Sequence, residues 1–128
     1  MRRSICTCKP HYVLAGERGT FHFIYTTATE LPKDTLLKFD MHSQQRPIDW
    51  ELPQTQLREK SNLIWGELPN GKAFKAEETP EDGVFEFKLP TAIKAGETLI
   101  IAIGTPGKDV KKGTLSQLTT QRRREFFL

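Results

Sequence analysis

Period-two alternation of apolar and polar side chains, repeated at several places along the 128 residues, most limits the folds open to this chain. In a strand successive side chains point to opposite faces, so such a row gathers its apolar members on one side. Residues 19–27 place Phe21, Phe23 and Tyr25 together, and residues 35–41 place Leu37, Phe39 and Met41. Residues 84–89 do the same with Phe85, Phe87 and Leu89, leaving Glu86 and Lys88 for water. One-sided burial of this kind belongs to antiparallel sheets with a solvated outer face. The run Leu99-Ile100-Ile101-Ala102-Ile103 is apolar on both faces and reads as a central strand.

The punctuation between these rows is that of a β protein. Asn70-Gly71, between residues 64–68 and 72–75, predicts a hairpin with a type I′ turn, in which both central positions need φ > 0. Pro32, Pro80, Pro90 and Pro106 separate other rows, and Lys94-Ala95-Gly96-Glu97 predicts a tight corner before the central strand. No apolar stripe at helical spacing is sustained; residues 54–61 are the best helical candidate, and they are short and polar. Several short strands with Gly- and Pro-rich turns predict an all-β, immunoglobulin-like sandwich of two antiparallel sheets. The expected organisation is a flexible N-terminal segment over residues 1–10 and a single sandwich domain over residues 11–128.

Composition supports a folded domain. A chain of this length buries roughly two-thirds of its unfolded surface, and 37% hydrophobic with 27% charged residues does not suit a disordered one. The longest apolar run is too short to cross a bilayer. No apolar h-region follows Met1-Arg2-Arg3, so no membrane contact is expected and the cytoplasm is the default compartment. Net charge of +3 suits solubility and permits weak contact with polyanions without implying it. At the other end, Arg122-Arg123-Arg124-Glu125-Phe126-Phe127-Leu128 grows more apolar toward its last residue. That pattern predicts a closing strand, and it reads as one part of a longer protein.

The residue types that carry chemistry are thinly spread. Cys6-x-Cys8-x-x-His11 offers three soft ligands, but structural zinc sites take four, with Cys pairs more often two residues apart. Only His22 or His42 could complete the set, so no metal site is predicted and the expected state is a frayed N-terminus. Two cysteines one residue apart also do not make a disulfide framework. With His11, His22 and His42 scattered and no Gly-x-Ser-x-Gly elbow, neither catalytic residues nor a cofactor are predicted. Glu77, Glu78, Glu81 and Asp82 crowd around Pro80 as a solvated acidic turn. Gly104-Thr105-Pro106-Gly107-Lys108 lacks the ending of a phosphate-binding loop and reads as an ordinary connection.

Two binding constellations remain. Trp50 and Trp65, with Tyr12 and Tyr25, could form an aromatic platform for carbohydrate, with Trp50 the more exposed ring. The competing reading puts Trp65 in the core beside Ile64, with Trp50 plugging one end of the sandwich. Lys111, Lys112, Arg122, Arg123 and Arg124, with Lys108, could form a basic patch for nucleic acid. The near-even charge balance argues against that use, and charges beside a sheet edge already guard against edge-to-edge aggregation.

Two segments carry a family resemblance. One is Ala15-Gly16-Glu17-Arg18-Gly19-Thr20-Phe21-His22-Phe23-Ile24-Tyr25-Thr26-Thr27; the other is Asp49-Trp50-Glu51-Leu52-Pro53-Gln54, followed by Asn62. Together they resemble the N-terminal β-sandwich of a large, poorly characterised bacterial family. Its members carry this sandwich ahead of a metal-dependent phosphoesterase-like domain related to the polymerase-and-histidinol-phosphatase superfamily. The resemblance spans residues 15–128 and leaves residues 1–9 unmatched. It implies an accessory domain whose catalytic, metal-binding partner lies outside this chain, so no catalytic residue transfers. The expected function is therefore a non-catalytic module that packs against a downstream domain or another protein partner through its last strand and adjacent loops. An exposed edge near residues 126–128 offers a route to a homodimer.

Overall fold

A computed structural model of the chain describes residues 4–9, 18–41, 51–106 and 113–115. Ten strands occur among them: β1 (Ile5–Lys9), β2 (Arg18–Gly19), β3 (Phe21–Thr26), β4 (Leu36–Asp40), β5 (Leu63–Glu67), β6 (Ala73–Lys75), β7 (Glu77–Glu78), β8 (Val84–Lys88), β9 (Thr98–Gly104) and β10 (Thr114–Leu115). A five-stranded sheet runs in the order β1-β3-β9-β5-β6, and a three-stranded sheet in the order β4-β8-β7. The short strands β10 and β2 form a separate ribbon. All strand pairs are antiparallel, and the two larger sheets face each other as an open sandwich rather than a closed barrel.

The alternating rows bury as their pattern requires. Phe21 and Phe23 of β3, Phe39 of β4, and Phe85 and Phe87 of β8 are all buried, while Glu86 and Lys88 face solvent. Edge-to-face ring pairs span the gap between the sheets. Phe23 meets Phe39 at 4.9 Å between centroids, and Phe74 of β6 meets Phe87 at 5.9 Å. Such pairs are worth about 0.5–1.5 kcal/mol beyond the area they bury, and they fix how the sheets sit on each other.

β9 lies at the centre of the larger sheet, as its two-sided apolarity requires. Leu99, Ile101 and Ile103 point into the main core. Ala102 points the other way, into a second apolar cluster with Leu63 and Trp65, against which Leu57 and Ile100 pack. Near β6 the chain itself joins the sheets: β6 pairs with β5, buried Ala76 passes between the layers, and β7 pairs with β8.

Two expectations are corrected. Residues 5–9 do not fray, because β1 pairs with β3 in the register Ile5↔Thr26 to Lys9↔His22. Residues 54–61, short and polar, form no helix, as the all-β reading requires, and Gln54 bridges Leu63 in parallel. The β5–β6 hairpin forms, but without a type I′ turn. Gly71 N–H donates to Leu68 O at 2.8 Å, and of the loop residues 69–71 only Gly71 has positive φ, at 86°. Pro69 sets the first central position near −65°, which gives a type I turn with Gly71 as the following left-handed residue. The corner at Lys94-Ala95-Gly96-Glu97 forms as expected, with Gly96 at φ 84° and Glu97 N–H donating to Lys94 O at 3.1 Å.

Candidate functional site

The polar residues that the fold concentrates lie around β2, β10 and the loop of residues 51–62. Arg18 on β2 donates to Glu51 Oε2 at 2.8 Å and to Gly113 O at 3.2 Å. The Arg18–Glu51 pair thus ties together the two segments that carry the family resemblance. Asn62 holds the other side of the loop: its Nδ2 donates to Leu52 O at 2.8 Å, and its Oδ1 accepts from Thr114 Oγ1 at 2.8 Å. Asn62 sits at φ 48°, a left-handed conformation that Asn tolerates better than most residues. Gln54 pins the loop from within, its Nε2 donating to Glu59 O at 2.8 Å and Ser61 O at 3.0 Å.

A second set of bonds closes over the end of β9. Thr105 Oγ1 donates to Lys60 O at 2.6 Å, and Thr105 N–H donates to Thr20 Oγ1 at 3.0 Å. Thr105 and Thr114 are both buried. Buried hydroxyls of this kind are costly unless bonded, and here each finds a protein partner. The arrangement is a clamp, with its side-chain groups spent on backbone atoms and on one another rather than aimed at a shared point. The Arg18–Glu51 pair is substantially solvated, so its own contribution is small, at most about 1 kcal/mol.

Hollows among the described residues lie elsewhere. A cleft of about 140 Å³ has Leu52, Pro53 and Phe85 among its apolar walls and Glu78, Glu81 and Asp82 at its rim. The carboxylates are exposed, and Thr79 Oγ1 organises their turn by donating to Glu81 O at 3.0 Å and Val84 O at 2.8 Å. A smaller opening of about 80 Å³ between the sheets is lined by Tyr25, Leu37, Leu99 and Ile101. Among the described residues no group of three or more His, Cys, Asp or Glu is placed to hold a metal ion. No helix among them is long and apolar enough to cross a membrane.

The binding residues expected from sequence are not brought together. Trp65 is 3% exposed, and its Nε1 donates to Glu67 Oε1 at 3.1 Å. A ring so covered offers no stacking face to a sugar, which corrects its place in an aromatic platform. Trp50, Lys111, Lys112, Arg122, Arg123 and Arg124 lie outside the described residues, as do His11, His42 and the closing strand expected over 122–128. His22 is half-buried on β3, opposite Ala102 on one side and Lys9 on the other. Sequence reasoning missed Thr20, Thr105 and Thr114, whose roles depend on which segments meet in space.

Comparison with known proteins adds scale rather than chemistry. The whole chain is 42% identical over 136 residues to an uncharacterized protein of Chlamydia muridarum. It is 41% identical over 136 residues to one of Chlamydia trachomatis and 39% identical over 135 residues to one of Chlamydia pneumoniae. The chain spans 22% of the length of each of these curated relatives. No family model matches it, and no solved structure does.

Proposed function

We propose that this chain is a non-catalytic accessory module that packs against a further domain of a longer protein. The observation that carries this reading is the match itself: all of this chain aligns with the chlamydial relatives, yet it accounts for 22% of their length. The interior is consistent with such a role. Aromatic and aliphatic side chains fill it, and the best-organised polar cluster is a clamp whose groups are satisfied internally. The family resemblance supplies the finer part of the proposal, that the neighbouring domain is a metal-dependent phosphoesterase.

The test is to read the genomic frame on both sides of this segment and express its full product. Hydrolysis of a generic phosphomonoester or phosphodiester, dependent on added divalent metal, is expected from the full product and not from the 128 residues alone. A frame with no flanking coding sequence, or hydrolysis by the isolated sandwich, would overturn the accessory reading. A long but inert product would retain the accessory role and remove the phosphoesterase.

A further inference from the structure

Both cysteines of the chain lie on β1, the edge strand of the five-stranded sheet. In register with β3, Cys6 stands opposite Tyr25 and Cys8 opposite Phe23, so both side chains leave the strand on its core-facing side. Cys8 packs against the core cluster and Cys6 is exposed; neither is in a disulfide. The rise of a strand, about 3.3 Å per residue, puts the Cα atoms of positions i and i+2 about 6.6 Å apart, with side chains pointing the same way. A disulfide needs Cβ atoms about 3.8 Å apart. Near-parallel Cα–Cβ bonds leave the Cβ atoms almost as far apart as the Cα atoms, so the bond cannot close while β1 remains extended.

We propose that β1 is a redox-releasable edge strand: joining Cys6 to Cys8 contracts the backbone of residues 5–9, breaks the β1–β3 ladder and uncovers the edge of β3. The oxidant is a small-molecule disulfide such as oxidised glutathione. Cys6, the accessible member, gives up its proton and attacks as the thiolate. One glutathione becomes bonded to Cys6 Sγ, while the other leaves as a thiolate and takes up a proton. Cys8 then attacks Cys6 Sγ as its thiolate and expels the second glutathione in the same way. Two protein thiols are oxidised and one disulfide is reduced to two thiols. Release stops at β1, because β3 keeps its pairing with β9 over six residue pairs on its other edge.

The intact chain, incubated with excess oxidised glutathione across a series of increasingly alkaline buffers, because burial holds the Cys6 thiol above its usual pKa and only the thiolate attacks, is to be followed by mass and amide hydrogen exchange. The expected product has lost the mass of two hydrogens, with the bond mapped to residues 4–9. Its Ile5–Lys9 amides exchange at the rate of an unpaired segment, while β5 and β8 keep their protection. Cys8→Ser is expected to stop at a mixed disulfide on Cys6 with β1 still protected. An intrastrand disulfide that leaves β1 protected would overturn the proposal. So would a product with only mixed or intermolecular disulfides, or loss of β1 protection in the Cys8→Ser mixed disulfide.

Discussion

Replacing Gly104 with alanine should be among the most damaging single-methyl changes in the protein. Gly104 ends β9 at φ 141°, a backbone conformation open to glycine and strained for any L-residue. A Cβ there would lie 2.5 Å from Thr20 Oγ1, 2.6 Å from Thr20 Cα and 2.8 Å from Gly19 O. Two of these are backbone atoms. They cannot retreat without disturbing the Phe21↔Ile103 pairing or the Thr105–Thr20 bonds. Backbone strain contributes about 1–3 kcal/mol, and the overlap a further 1–3 kcal/mol or so by analogy with overpacked cores. The combined loss, about 4 kcal/mol, is a large part of the roughly 5–15 kcal/mol that holds a domain folded. It corresponds to a melting temperature lower by about 15 °C for a chain of this size.

The assay is urea unfolding followed by tryptophan fluorescence, with Trp65 as a buried reporter. Gly71→Ala is the control, since Gly71 has φ 86° but nothing within 4 Å of its would-be Cβ. It should lose only the left-handed strain, about 1–2 kcal/mol. Gly113→Ala should show the overlap, because a Cβ at that position would lie 2.7 Å from Gly19 O. If Gly104→Ala costs no more than Gly71→Ala, the close crossing of β9 over Gly19 and Thr20 is not a real feature of the fold.

Two further outcomes follow from the clamp and from β1. Asn62→Ala removes both side-chain bonds, leaves the Thr114 hydroxyl buried and unmatched, and keeps a Cβ at positive φ. Its expected cost is about 2–4 kcal/mol; Asn62→Gly relieves the strain and should cost less, and equal midpoints for the two variants would refute the strain component. Partial burial pushes the Cys6 thiol above its usual pKa, so as pH rises the unfolded chain loses that proton first. The stability this confers is present below the ordinary thiol range and lost as pH rises through the folded pKa. Cys6→Ser should flatten the alkaline limb of a plot of urea midpoint against pH, and an unchanged limb would show that the thiol does not contribute.

Much of the fold was legible because alternation acts locally. Phe21 and Phe23, Phe39 and Met41, and Phe85, Phe87 and Leu89 all occupy the face that their spacing assigns them. The two-sided run at residues 99–103 became the central strand for the same reason. A metal-ligand reading of Cys6 and Cys8 hides β1. Read as small hydrophobes alternating with Thr7 and Lys9, they complete a strand pattern like the others. Asn70-Gly71 taken alone points to the wrong turn at residues 69–71, because the ring of Pro69 decides the preceding dihedral.

What the sequence determined by itself is therefore the class of structure and the inward face of most strands. Both depend on the pleat and on the side chains within a few residues of one another. Tertiary structure alone decided that β3 pairs with β1 and β9, that Trp65 is covered by the 51–62 side of the larger sheet, and that Arg18 meets Glu51. A strand's pattern records which side shuns water and carries no record of which strand will lie beside it. Pairing and clamping are long-range choices, made when residues as distant as Asn62 and Thr114 arrive at the same place with matching donors and acceptors.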